Sequence, residues 1–132
     1  MVKLVVDTSV AIAILSHESD GETLLTRLVA GSGRCMSSVN ALETRILLEM
    51  GKRIDPQRFD ELLTRWAIEI VPFDEALSSL AFDAYRRFGK GRHPARLNMG
   101  DCAAYALATA RGWPLLFKGE DFALTDVERG DG

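Results

Sequence analysis

Four carboxylates stand where apolar segments of this chain begin, end or pack. Asp7 closes "KLVVD", Glu43 lies inside "VNALETRILLEM", Asp101 opens "GDCAAYALATA", and Asp121 follows "LLFKGED". Asp7 and Asp101 each have an ordinary explanation as helix-start residues, and Asn98 with Asp101 has the spacing of a capping box. Glu43 is harder to place. Positions 39, 42, 43, 46, 47 and 50 form one stripe at helical spacing, occupied by Val39, Leu42, Glu43, Ile46, Leu47 and Met50, which predicts Glu43 in the middle of a buried face. A glutamate is almost never buried without a partner, and Arg45 and Lys52, the nearest cations, lie off that stripe.

If the acids share one crevice, their mutual cost decides what else must be there. Two carboxylates about 4 Å apart repel by roughly 4 kcal/mol at an effective dielectric near 20, and a divalent cation removes that penalty. An all-oxygen ligand set selects a hard ion, Mg²⁺ or Mn²⁺, over zinc, and His17 and His93 form no zinc pattern. Such ions leave positions open for water and phosphate oxygens, which is the chemistry of phosphodiester hydrolysis. Just before Asp101, "RRFGKGRHPAR" carries Arg86, Arg87, Lys90, Arg92 and Arg96 with no acid among them. A run of this kind is either a solvated loop or an arm that contacts phosphates.

The elements that must position these groups follow from periodicity and punctuation. "KLVV", "RCMSS", "IEIVPF" and "PLLF" read as strands. "TSVAIAIL", "DGETLLTRLVAG", "VNALETRILLEMG", "DPQRFDELLTRWAIE", "DEALSSLAFDAYRRFG" and an alanine-rich segment from about 101 to 111 read as helices, several of them closed by glycine. Strands alternating with helices predict an α/β fold, a three-layer α/β/α sandwich with a mainly parallel central sheet. In such sheets the ligand crevice lies beyond the carboxyl ends of the strands, where Asp7 and Asp121 are expected.

Composition narrows the class. At 132 residues, 47% hydrophobic and 27% charged, the chain reads as one soluble globular domain over residues 1–132. The apolar start is interrupted by Asp7 and is too short beyond it to span a bilayer. Cys35 and Cys102 make neither a disulfide framework nor a metal motif, which suits buried thiols in a cytoplasmic protein. The net charge of −3 does not advertise a nucleic-acid binder, so any such function must rest on local charge.

The motifs together resemble the PIN-domain ribonucleases, most closely the VapC-type toxins of toxin–antitoxin pairs. "VVDTSVAIAIL" is similar to the family's first motif with its acid at Asp7 and Thr8 beside it, and "SSVNALETRI" to the second with Glu43. "GRHPARLNMGDCAAYALA" is similar to the third with Asp101, and "LLFKGEDFALTDV" to the fourth with the more variable acid at Asp121. The resemblance runs from residue 2 to about 127, and the order and spacing of four motifs are its strength. It implies an endoribonuclease dependent on Mg²⁺ or Mn²⁺ and a homodimeric toxin, silenced by a small VapB-like antitoxin that blocks the acidic site. Asp7 and Asp101 are expected to ligate metal, with Glu43 ligating or orienting the attacking water and Asp121 completing a second metal site or acting through water. Thr8 is expected either to support Asp7 or to cap the first helix, and Arg86, Arg87, Lys90, Arg92 and Arg96 to contact RNA. The rival is a nonenzymatic module of similar fold whose acids serve as caps and salt bridges.

Overall fold

The computed structural model describes residues 2–91, 93–119 and 122–130. Four parallel strands, β1 (Lys3–Val6), β2 (Gly33–Ser37), β3 (Ile68–Val71) and β4 (Leu115–Leu116), form one sheet in the order β3-β2-β1-β4. Six helices connect them: α1 (Thr8–Leu15), α2 (Gly21–Ala30), α3 (Ser38–Ile46), α4 (Gln57–Arg65), α5 (Glu75–Phe88) and α6 (Met99–Arg111).

Alternation along the strands sends side chains to two separate cores. Val5, Cys35 and Leu115, in register across three strands, pack with α5 and α6 on one face. Leu4, Val6, Met36 and Leu116 pack with α1, α2, α3 and α4 on the other. The sheet is therefore covered on both sides, as the predicted three-layer sandwich requires. Cys35 and Cys102 are buried free thiols, each pushed by burial from an ordinary 9.0 up to about 11. No helix among the described residues is long and apolar enough to cross a membrane.

The sheet order changes direction at β1. The chain first builds outward through β2 to β3, then crosses back through α5 and α6 to place β4 on the opposite side of β1. Such a reversal splays the connections apart and opens a crevice at the carboxyl end of the central strand. Asp7 follows β1 directly, at that crevice.

The segment after β2 departs from the pattern read in the sequence. The α-helix ends at Ile46 and continues as a π-helical turn over Leu47–Lys52, closed by Arg53 in the left-handed region at φ 55°. Its buried face is not the apolar stripe. Ser37, Asn40, Ala41, Thr44 and Leu48 are 0–1% exposed, whereas Leu42, Ile46 and Met50 are 59%, 50% and 76% exposed. The polar residues turn inward because they have internal partners. The Thr44 hydroxyl donates to the Asn40 carbonyl at 2.7 Å, and Ser37 Oγ accepts from Val39 N at 3.2 Å to cap the helix.

Candidate active site

Asp7 is 4% exposed and holds its carboxylate by one oxygen only. Oδ2 accepts from Ser9 N at 3.0 Å, capping α1, and from Ser9 Oγ at 2.6 Å. Oδ1 is buried without a hydrogen-bond partner. Burial is the main force on this group and pushes its carboxyl from an ordinary 3.8 up to about 6; the Ser9 bonds oppose the shift and the Glu43 charge adds to it.

Glu43 reaches the same place from α3. Thr8 Oγ1 donates to Glu43 Oε1 at 2.7 Å and lies 3.3 Å from the Asn40 carbonyl, while Asn40 Nδ2 donates to Thr8 Oγ1 at 3.1 Å and to the Gly100 carbonyl at 3.0 Å. This chain of bonds ties α1, α3 and the start of α6 together. Of the two things expected of Thr8, capping α1 falls to Asp7 itself; the Thr8 hydroxyl orients Glu43, and its backbone N–H is among the groups that favour the charged Asp7 carboxylate. Arg45 and Lys52, the cations nearest Glu43 in sequence, are engaged elsewhere, with Asp60 at 3.0 Å and Glu18 at 3.9 Å. Gly100 leaves the room that Glu43 uses. A Cβ there would lie 2.6 Å from Glu43 Oε1 and 2.9 Å from its carboxyl carbon, inside any tolerable contact.

Asp101 enters on the first turn of α6. Asn98 Oδ1 accepts from Asp101 N at 2.8 Å and Asp101 Oδ2 accepts from Asn98 N at 3.0 Å, which is the capping box read in the sequence. Asp7, Thr8, Glu43 and Asp101 line one cavity of about 300 Å³, together with Ser9, Glu18 and Lys118. Periodicity gave no sign of the last three. Ser9 was hidden by its ordinary place in the first turn of a helix; Glu18 and Lys118 are 100 residues apart and meet only through the fold.

Among the described residues of the basic run, Arg86, Arg87, Lys90 and Arg96, none lines this cavity. Arg87 is paired with Asp126 at 2.9 Å and donates to Tyr105 Oη at 3.3 Å, and Arg86 lies over the Phe82 ring at 5.4 Å. Lys90 and Arg96 are exposed on a connection closed by the Gly89–Leu97 bridge, with Ala95 and Leu97 fully buried beneath it. Asp121 and Arg92 lie outside the described residues. His17 is exposed, and His93 is half-buried with Nδ1 accepting from Ala95 N at 3.0 Å, so neither histidine approaches the acids as a ligand.

The donor set fits a hard divalent cation. An unpartnered buried Asp7 oxygen is the kind of group that a cation satisfies, Glu43 lies close enough to raise the Asp7 proton affinity, and all the donors are oxygen. Among the described residues no three acidic, histidine or cysteine side chains already converge at metal-holding spacing. Asp101 Oδ2 accepts from Asn98 N in the capping box, while the Asp101 side chain lines the same cavity as Asp7 and Glu43.

The chain belongs to the PIN-domain family, whose model matches residues 4–128. Within that family it is similar to VapC ribonucleases. It is 46% identical over 126 residues to "Ribonuclease VapC" of Mycolicibacterium smegmatis, a match that covers 94% of this chain and 97% of that one. Its fold is similar to that of Mycobacterium tuberculosis VapC20, a sarcin–ricin loop cleaving toxin, with a TM-score of 0.73 at 18% identity over 94% and 95% of the two chains. It is also similar to a chain of VapBC2 from Rickettsia felis bound to a promoter DNA fragment, with a TM-score of 0.70 at 16% identity over 96% of each chain.

Proposed function

We propose that this protein is a metal-dependent endoribonuclease, the toxin of a type II toxin–antitoxin pair, hydrolysing phosphodiester bonds in RNA in the cytoplasm. One observation carries the chemistry: a buried, half-satisfied Asp7 shares a cavity with Glu43 and Asp101 at the sheet's switch point, in a chain whose relatives are ribonucleases. Asp7, Glu43 and Asp101 would hold Mg²⁺ or Mn²⁺, with Asp121 as the fourth acid. The ion supplies charge neutralisation at the phosphate and a water of lowered pKa. The chain's own residues prepare the site: Ser9 fixes one Asp7 oxygen and leaves the other free, Thr8 and Asn40 hold Glu43 against Gly100, and Asn98 anchors the backbone of Asp101. Arg86, Lys90 and Arg96, outside the cavity, meet phosphates away from the cut rather than at it.

The antitoxin and the second protomer have separate surfaces in this reading. Leu42, Ile46, Leu47 and Met50 form an exposed apolar ridge that borders the acidic cavity through Leu47, a fitting seat for an antitoxin that blocks the site. Phe82, Tyr85 and Met99, 63%, 38% and 77% exposed, surround an apolar groove of about 370 Å³ on the α5–α6 side, assigned here to a second copy of the chain.

Asp101→Asn tests the catalytic assignment: RNA cleavage in Mg²⁺ or Mn²⁺ is lost while the circular dichroism spectrum is kept, and undiminished cleavage refutes it. The Asn98–Asp101 capping box is the observation that favours the rival, a nonenzymatic binding module whose acids serve as caps. Calorimetry separates the two, because the rival requires no saturable Mn²⁺ binding dependent on Asp7 and Asp101.

A further inference from the structure

An acidic cavity is a poor place to receive RNA. Asp7, Glu43, Asp101 and Glu18 all line it, and each nucleotide of the substrate brings another negative charge. Among the described residues, one cation lines the same cavity, Lys118. Its backbone N–H donates to Ser9 Oγ at 3.0 Å, and that hydroxyl donates to Asp7, so Lys118 is fixed two hydrogen bonds from the buried acid. Its ammonium pairs with Glu18 and lies 3.3 Å from Asp20 Oδ1. Lys52 approaches Glu18 from the π-helical turn, 3.9 Å from Oε2, and Ser16 Oγ donates to the same oxygen at 3.0 Å.

Resting on the RNA-cleaving reading above, we propose that Lys118, assisted by Lys52, binds the RNA phosphate beside the scissile one, and that Glu18 holds this place until substrate displaces it. Two features favour exchange over a permanent brace. The lysine side chains are 37% and 46% exposed, and ion pairs that wet contribute little and change partners readily. A phosphate arriving from solvent meets both ammonium groups around the Glu18 carboxylate, and once Glu18 swings away it is left with two cations, Asp20 remaining beside Lys118 alone. Both charges are present at neutral pH, since the Lys118 contact holds the Glu18 carboxyl below its ordinary range and the Glu18 contact holds the Lys118 ammonium above its own. The sequence hides this arrangement because residues 18, 52 and 118 belong to no common motif.

Binding of a fluorescein-labelled, mixed-sequence single-stranded RNA of about 20 nucleotides, measured by anisotropy with Ca²⁺ as the divalent ion and across a salt series, tests the proposal. Lys118→Gln is expected to weaken binding about 5- to 10-fold at low salt and to reduce the slope of log K against log salt by about 0.7, the value for one lost phosphate contact on a single strand. Glu18→Gln is expected to tighten binding about 2- to 5-fold, because it removes the competing carboxylate, and Lys118→Arg to bind like the wild type. A purely structural brace predicts the opposite for Glu18→Gln, a lower melting temperature with equal or weaker RNA binding, and that result overturns the proposal. So does a Lys118→Gln variant whose affinity and salt slope match the wild type. Failure of the wild type itself to bind or cleave any RNA is distinguishable from both and overturns the nuclease reading and this inference together.

Discussion

At the scale of single residues, Asp7 is a buried carboxyl whose ionisation costs the folded state stability. Its carboxyl titrates near 6 when folded against an ordinary 3.8, so the folded state binds the proton more tightly than the unfolded chain. The contribution of Asp7 to stability is greatest below about pH 4 and is lost as pH rises through 6, at a cost on the order of 3 kcal/mol. Asp7→Asn, which keeps a good helix cap, is therefore expected to melt higher than the wild type in chelator at pH 7.5 and to lose that advantage near pH 4. Divalent ion is expected to reverse the order, because Asp7 is a proposed ligand; thermal denaturation across pH, with and without Mn²⁺, reads both effects. Gly100 gives a second prediction that removes no acid. Gly100→Ala sets a Cβ against Glu43 and should reduce cleavage roughly 10- to 100-fold with the helical spectrum intact, the range for displacing a group that orients a metal ligand. Thr8→Val keeps the shape but strips Glu43 and Asn40 of a partner. It should cost about 1–3 kcal/mol on denaturant unfolding and weaken the Mn²⁺ dependence of cleavage.

At the scale of elements, the site is an assembly of helix starts. Asp7 caps α1, Ser37 caps α3, and Asn98 caps α6, so the groups that begin the helices also fix the acids or their neighbours at the crevice. Asn98→Ala should lower stability by about 1 kcal/mol through the lost cap, measured by denaturant midpoint. α6 was legible almost residue for residue, its start at Met99 rather than 101 following from the Asn98 cap that the sequence itself suggests. α3 was legible as a helix but not in its orientation. A hydrophobic stripe marks the side that seeks shelter from water, and it does not say whether the shelter is this protein's core or another chain. Here the core side is held by hydrogen bonds of Asn40 and Thr44, and the apolar side is left outward. Glu43 was thus found by a stripe on the wrong face; it is half-buried and adjoins the acid site from the edge of the polar face.

At the scale of the molecule, the two exposed apolar surfaces are expected to answer separately to substitution. Phe82→Glu, at a residue 63% exposed and outside both core clusters, should yield a monomer by light scattering without unfolding. Ile46→Asp, at 50% exposed, should leave RNA cleavage by the isolated toxin in place and abolish its neutralisation by the co-expressed antitoxin, scored by growth and by co-purification. If Phe82→Glu abolishes neutralisation and Ile46→Asp yields the monomer, the two assignments are exchanged.

By itself the sequence determined the element order, the parallel α/β class, the positions of the strand-end and helix-start acids, and the family to which they belong. These follow from local chemistry: strand alternation, caps, glycine stops, and an acid at the end of a buried strand are all written in neighbouring residues. Tertiary structure alone decided what each charge faces. Thr8 turned to Glu43, Arg87 to Asp126, and Lys118 to Glu18, because ion pairs and buried hydrogen bonds are made across distances of about 3 Å in space between residues up to 100 apart in the chain. Arg86, Arg87, Lys90 and Arg96, close to Asp101 in sequence, lie outside its cavity, and a lysine remote from Glu18 lies inside it, since proximity along the chain constrains charge only within one turn or one loop.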